Sequence, residues 1–163
     1  MNESSAHNTH ASVSVRYLEP GWFTRHVFNR AVRGLARIGI SVAGSSELRV
    51  VGRSSGEVRR TVVNVLELDG QRYLVAPRGA TQWVRNLRAA GHGELRVGRR
   101  AEAFGADELT DDRKRDVLRA YVERWRWEVG QFFEGLDRDP TDAQLDAIAP
   151  GFPVFAVHAT TVG

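Results

Sequence analysis

The spacing of apolar residues predicts an amphipathic helix near the start of the chain. From residue 22 to residue 38, apolar side chains recur every three or four positions, and arginines occupy most of the opposite face. Gly21 and Gly39 flank this segment, and glycine often marks helix boundaries. Residues 1–18 lack such a pattern and are predicted to form a flexible tail. Residues 19–163 are predicted to form one domain that includes the helix 22–38.

The pattern changes to that of β-strands from residue 47 onward. β-Branched and aliphatic residues dominate residues 48–50 and 58–68, and Ser54, Ser55 and Gly56 predict a turn between them. Asp69 and Gly70 predict a hairpin that leads into a third strand over residues 72–76. The three segments therefore predict an antiparallel meander.

Helices alternate with further strands in the rest of the chain. A short helix is predicted between Thr81 as cap and Gly91 as stop. A long helix is expected to begin at the cap Thr110, and another helix at the cap Thr141 is expected to stop before Pro150. Residues 94–97, 99–109 and 152–159 are predicted strands, and Val117, Tyr121, Val122, Trp125 and Val129 form the apolar side of the long helix. This order predicts an α+β fold with an antiparallel barrel.

Composition removes several classes of function. The chain has 163 residues and no cysteine, so disulfides, thiolate metal sites and cysteine nucleophiles are excluded. Its five histidines are scattered, and no metal site is predicted. No apolar run approaches the roughly 20 residues of a membrane span, and no signal peptide is recognisable, which favours the cytoplasm.

The basic residues are almost all arginine. Lys114 is the only lysine among 23 basic residues, and the formal net charge is +3. Arginine suits carboxylate and phosphate ligands, but a GC-rich genome would give the same bias, and composition alone leaves both explanations open. The arginines are dispersed and no recognition element is present, so no nucleic acid is predicted as a partner.

Two loops have the chemistry of anion sites. In the segment GRSSGEVRR, Arg53, Arg59 and Arg60 bracket the serine-rich turn, which could offer hydroxyl and backbone N–H groups to an anion. An ordinary polar hairpin with exposed arginines is the alternative. Arg78 lies directly before the predicted helix 81–91, whose N-terminus also favours anions. Trp83 and Asn86 share a face of that helix and could both contact a ligand. The alternative is that Trp83 is a core aromatic residue and Asn86 a structural amide.

These motifs together resemble one known family. GRSSGEVRR followed by DGQRYLVAPRGATQWVRNLRAAG is similar to the deazaflavin-dependent nitroreductases over about residues 48–106. The resemblance implies a split antiparallel β-barrel of the flavin-reductase type that binds coenzyme F420, a deazaflavin with a phosphate and an oligoglutamate tail. It also implies a homodimer.

The resemblance assigns candidate residues to two parts of the cofactor. Arg53, Ser54, Ser55, Arg59 and Arg78 would bind the phosphate and the tail. The deazaflavin would be lined by the main chain of Val62, Val63 and Asn64, by Ala76 and Pro77 at a strand end, and by Trp83 with Asn86.

The implied activity is hydride transfer from reduced F420 to an electron-poor acceptor such as a quinone, an enone or a nitro compound. Tyr73 and Tyr121 could donate a proton by their chemistry, but neither is assigned. The alternatives are an FMN-dependent reductase and a non-catalytic protein that binds the cofactor or a fatty-acid-type ligand. The apolar face of the helix 22–38 is expected to cover an open edge or the mouth of the main domain, and peripheral membrane contact through this helix is the alternative.

Overall fold

The computed structural model describes residues 44–133 and 135–160. The tail 1–18 and the helix 22–38 lie outside the described residues. The elements are β1 Ser45–Val51, β2 Val58–Leu68, β3 Gln71–Val75, α1 Gln82–Ala90, β4 His92–Val97, β5 Arg100–Glu108, α2 Arg115–Val129, α3 Asp142–Ile148 and β6 Val154–Ala159. Three one-turn 3₁₀ helices lie at Asp111–Arg113, Gly130–Phe132 and Ala149–Gly151.

The strands form a closed barrel in the order β1-β2-β3-β6-β5-β4, and every neighbouring pair is antiparallel. The meander β1-β2-β3 was predicted, and so was the α+β split-barrel class. Neighbouring strands run in opposite directions. The β1–β2 turn, the β3–α1 loop and the start of β4 therefore all lie at the same end of the barrel. We call this the α1 end.

Alternate side chains of the strands fill the barrel. Leu48, Val50, Val63 and Phe104 are buried inside it. Val84 and Leu87 of α1 join the same cluster, so α1 packs against the barrel interior at the α1 end. The helix is therefore fixed beside the loops that carry the candidate residues.

A second apolar cluster covers the outer surface of β2, β3 and β6. Leu66, Val75 and Val154 contact α2 and α3 there. The predicted apolar side of α2 is buried at Val117, Tyr121, Val122 and Trp125. The helix departs from helical geometry at Trp125, whose φ is −122°. These two helices support the strands from outside the barrel.

One of the three predicted threonine caps is wrong, and a second has the predicted position without a side-chain bond. Thr141 accepts a hydrogen bond from the Gln144 N–H in a capping box, as predicted. Thr110 precedes a 3₁₀ turn and makes no side-chain cap, because α2 begins later, at Arg115. Thr81 has the N-cap position of α1, but its hydroxyl forms no cap bond either. Pro150 follows α3 within the 3₁₀ turn Ala149–Gly151.

Lys114 joins the start of α2 to the end of α3. It is 4% exposed, and its Nζ donates to Asp111 Oδ1 at 2.7 Å and to the Ala149 carbonyl oxygen at 3.1 Å. Ala149 is also buried, and its carbonyl accepts this bond together with one from the Phe152 N–H at 3.2 Å.

Lys114→Met is expected to destabilise the fold by about 1–3 kcal/mol, because the buried Ala149 carbonyl loses one of its two donors and the bond to Asp111 is lost as well. Urea denaturation of the variant measures the loss. Arg113→Met is the control, since Arg113 is exposed in the adjacent turn, and it should change the free energy of unfolding by less than about 0.5 kcal/mol. Equal midpoints for the wild type and Lys114→Met would contradict the role of the ammonium.

Candidate functional site

The turn between β1 and β2 is closed by its own backbone. The N–H of Gly52 donates to the Glu57 carbonyl oxygen at 2.8 Å, and the N–H of Gly56 donates to the Gly52 carbonyl oxygen at 2.8 Å. A Cβ atom at position 52 would lie 2.8 Å from Ser55 Oγ and 3.2 Å from the Glu57 oxygen. A larger residue at position 52 would therefore displace the Ser55 side chain and crowd the Glu57 carbonyl, and glycine keeps Ser55 close to the strand ends.

Arg59 lies over this turn. Its Nη2 donates to Ser55 Oγ at 3.3 Å and forms an ion pair with Glu57 Oε2 at 3.1 Å. The Ser55 hydroxyl also accepts a bond from the Glu57 N–H at 3.3 Å. The Arg59 and Glu57 side chains are 60% and 71% exposed, and Ser54 is exposed as well. The pair is therefore accessible, and an anionic ligand could exchange with Glu57.

Arg53 connects the turn to α1. Its backbone N–H donates to Asn86 Oδ1 at 3.3 Å, and its Nη1 donates to Asn86 Oδ1 at 3.0 Å and to Gln82 Oε1 at 2.9 Å. Asn86 is 5% exposed. Four of the predicted residues, Arg53, Ser55, Arg59 and Asn86, are thus brought together by hydrogen bonds within the turn and between the turn and α1.

Gln82 was missed by the sequence analysis. It lies four residues before Asn86 and so shares its helix face, which was the available signal. Nothing in the sequence indicated that Arg53, 29 positions away, contacts this face.

The loop before α1 carries Arg78, which is half-buried. Gly79 has a φ of +76° and donates its N–H to the Ala76 carbonyl oxygen at 3.0 Å. The first intrahelical bond of α1 joins the Arg85 N–H to the Thr81 carbonyl oxygen at 3.1 Å. The backbone N–H groups of the first turn of α1 therefore have no acceptor within the helix. Among the described residues, the buried Thr81 hydroxyl has no hydrogen-bond partner.

The barrel is split between β2 and β3. Their pairing ends at Val65 and Leu74, although β2 extends back to Val58. Residues 58–64 pair with β1. Within the described part of the chain, no strand pairs with the other edge of this segment. The segment therefore has one edge without a strand partner among the described residues, and we call the space beside this edge the gap.

The alternation of an antiparallel ladder decides which main-chain groups face this gap. The Val65 N–H donates to the Gly44 carbonyl oxygen, toward the β1 side. Val63 therefore also directs its N–H and carbonyl groups toward β1, whereas Val62 and Asn64 direct theirs toward the β3 side, where Val62 lies beyond the end of the ladder. The side chain of Val63 is buried in the barrel. Asn64 Oδ1 accepts a 3.0 Å bond from Ser45 Oγ, which fixes the amide.

Ala76 and Pro77 lie on the opposite side of the gap. If the β2–β3 register continued beyond Val65 and Leu74, it would place Ala76 opposite Val63 and Pro77 opposite Val62. Instead, the Ala76 N–H donates to the Pro153 carbonyl oxygen at 2.9 Å, on the β6 side. The chain thus bends away from β2 where the ladder stops.

Trp83 is half-buried at the first turn of α1. Its ring centroid lies 5.9 Å from that of Phe155, and the side chain packs against the barrel cluster. The aromatic ring is therefore part of the packing at the α1 end, and one part of it is accessible.

The described residues contain neither a metal-binding cluster nor a membrane-spanning helix. No group of three or more histidine, cysteine, aspartate or glutamate side chains there could hold a metal ion. The helices that the structure describes include none long and apolar enough to cross a membrane.

The six-stranded antiparallel barrel and its flanking helices define the class of split-barrel proteins. The sequence model of the family described as F420H(2)-dependent quinone reductase matches residues 22–139. The chain belongs to this family. It is therefore classed as an F420-dependent reductase, and coenzyme F420 is the cofactor of its family.

Solved structures show the same fold at low sequence identity. A protein of unknown function from Agrobacterium tumefaciens, Atu2129, is 16% identical over 87% of this chain with a TM-score of 0.52, and this chain spans 57% of its length. An F420-H2 dependent reductase is 20% identical over 74% of this chain and 100% of its own, with a TM-score of 0.50. The heme storage protein HutZ from Vibrio cholerae is 10% identical over 81% of this chain and 89% of its own, also with a TM-score of 0.50. No curated protein sequence matches the chain.

Proposed function

We propose that this chain binds reduced F420 at the α1 end of the barrel and transfers its hydride to a small electron-poor acceptor, of which a quinone is the first candidate. One observation carries the proposal. Arg53, Ser55 and Arg59 meet on a tight turn beside α1, and the gap-facing edge of β2 continues from the same turn.

The residues at this end fit the anionic parts of the cofactor. A phosphate and an oligoglutamate tail require cations and hydrogen-bond donors. Arg53, Ser54, Ser55 and Arg59 of the turn, together with Arg78 of the β3–α1 loop, would supply them. The unpaired Thr81 hydroxyl and the first N–H groups of α1 are further hydrogen-bond donors that an anion could use.

The gap between β2 and β3 fits the planar deazaflavin. The main-chain groups of Val62 and Asn64 would meet its ring edge, and Ala76 with Pro77 would line the other side. Trp83 would contact the ring or its ribityl chain. Asn86 retains its Nδ2 as a donor after its oxygen has bonded to Arg53. When bound, reduced F420 supplies the hydride, and the protein orients it and excludes water.

The proton that accompanies the hydride would come from solvent. Tyr121 is 2% exposed and packs against Trp125 with ring centroids 4.9 Å apart, on the outer side of the barrel. Tyr73 packs against the same outer cluster. Neither hydroxyl is assigned to the site, and the described part of the chain has no other tyrosine.

The setting of the reaction is also part of the proposal. We place the protein in the cytoplasm as a homodimer. The helix 22–38 would contact the membrane surface, where a lipid quinone is within reach. Retention on anionic vesicles of the full chain, and its loss when residues 1–40 are deleted, would support membrane contact; equal retention would refute it.

The proposed function is tested by binding and turnover. We expect F420 to quench the tryptophan fluorescence with micromolar or tighter affinity and FMN to bind more weakly. Under anaerobic conditions, reduced F420 should then be oxidised when a soluble quinone is added, faster than with an enone or a nitroaromatic compound. Tight FMN binding without F420 binding would favour the flavin alternative. Binding of F420 without turnover of any acceptor would favour a non-catalytic carrier.

A further inference from the structure

Arg53 differs from six other arginines of the described residues in the chemistry of its partners. Carboxylates pair with the arginines at positions 49, 59, 72, 88, 115 and 119. Arg53 instead donates from Nη1 to two carboxamide oxygens, those of Gln82 and Asn86. No carboxylate of the described residues lies within ion-pair distance of it.

We propose that Gln82 and Asn86 are positioning residues, which hold Arg53 in place for the anionic part of F420 without cancelling its charge. This inference rests on the proposed function. A carboxamide oxygen accepts a hydrogen bond as a carboxylate does, but it carries no formal charge. The guanidinium is therefore ordered before the ligand arrives and keeps its full attraction for a phosphate.

The geometry leaves the ligand-binding side of Arg53 available. Both carboxamide bonds use Nη1, so Nη2 and Nε can donate to a phosphate in the paired geometry that arginine favours. Fixing a long side chain in advance lowers the entropy that binding must overcome. Arg59 behaves differently, because Glu57 competes for it until the ligand binds.

The two carboxamides contribute in different ways. Asn86 is buried and also accepts from the Arg53 backbone N–H, so it fixes the turn as well as the guanidinium. Gln82 is exposed on the first turn of α1, and its side-chain oxygen bonds to the guanidinium. Substitution of Gln82 therefore changes the environment of Arg53 with little effect on folding.

The test uses the full chain and two ligands. One is F420, and the other is the ribityl deazaflavin that lacks the phosphate and the tail. Gln82→Glu keeps the shape and adds a carboxylate beside Arg53, and we expect it to weaken F420 binding at least tenfold. Gln82→Leu removes the bond but not the charge of Arg53, and a smaller loss of about threefold is expected. Asn86→Asp should act in the same direction as Gln82→Glu.

Ala89→Glu is the matched control, because it adds the same charge on an exposed position of α1, seven residues from Gln82. It should change F420 affinity by less than about twofold, and no Gln82 variant should alter binding of the ribityl deazaflavin. If Gln82→Glu binds F420 as tightly as the wild type does, or if its affinity for the ribityl deazaflavin falls as much as its affinity for F420, the inference is overturned while the proposed function stands. If the wild type binds no F420, the proposed function fails and the inference fails with it.

Discussion

Arg59→Ala is expected to weaken F420 binding by about 10- to 100-fold, whereas Arg60→Ala should weaken it by no more than about threefold. A hydrogen bond to a charged group contributes roughly 1.5–3 kcal/mol, and each 1.4 kcal/mol corresponds to about a factor of ten in affinity. The two substitutions remove the same charge from neighbouring positions of β2. Any difference between them therefore reports the position of the side chain and not the net charge of the protein.

The strand geometry explains why the neighbours should differ. Successive side chains of a strand point to opposite faces, so only one of the two can lie over the β1–β2 turn. Arg59 does so, since its Nη2 bonds to Ser55 Oγ and its Cγ would lie 3.5 Å from a Cβ at position 52. Arg60 is exposed on the other face, opposite Arg49 in the β1–β2 register.

Fluorescence titration at several salt concentrations measures this difference. The wild type and Arg60→Ala should show similar, steep weakening with salt, because both retain the ion contacts at the turn. Arg59→Ala should show a shallower dependence. Equal affinities of the two variants would mean that the turn does not bind the phosphate or the tail. The proposed orientation of F420 would then be wrong.

The local parts of the site could be predicted from the sequence. The turn at Ser54, Ser55 and Gly56, the hairpin at Asp69 and the stop at Gly91 each depend on residues a few positions apart, and the structure has all three. The family motif adds the order of these elements. Such features follow from backbone preferences that act over short distances in sequence.

Contacts between distant segments could not be predicted in the same way. The role of Gln82 depends on a bond to a residue 29 positions earlier. The directions of the Val62 and Val63 main-chain groups depend on which alternate residues bond to β1, which no side-chain pattern specifies. The gap did have a signal, because the predicted second strand was about twice as long as the third. That difference leaves part of one strand without a partner.

The threonine caps show a second limit. Thr81, Thr110 and Thr141 all precede helical segments, and only Thr141 is followed by the glutamine that completes a capping box. At Thr110 the chain forms a 3₁₀ turn instead, and the long helix begins after Lys114. The ammonium of Lys114 bonds to Ala149, so a tertiary contact accompanies this late start.

The other large effect is expected in the outer cluster, where two tryptophans of α2 lie two positions apart. Trp125 is 0% exposed and contacts Tyr121, whereas Trp127 is 73% exposed. Trp125→Ala is expected to destabilise the fold by about 3–5 kcal/mol, because it leaves a large cavity between α2 and the barrel. Trp127→Ala should change the free energy of unfolding by less than about 0.5 kcal/mol. Urea denaturation measures both.

The same pair of variants separates support of the fold from binding of the cofactor. α2 packs on the outer surface of β2 and β3, near the end of their ladder, but the β1–β2 turn that we propose binds the anion lies at the α1 end. Trp125→Phe, which retains an aromatic ring, should lower the urea midpoint and leave the F420 affinity of the folded protein within about twofold. A large loss of affinity in this folded variant would mean that α2 sets the width of the gap. The deazaflavin would then depend on both layers of the fold.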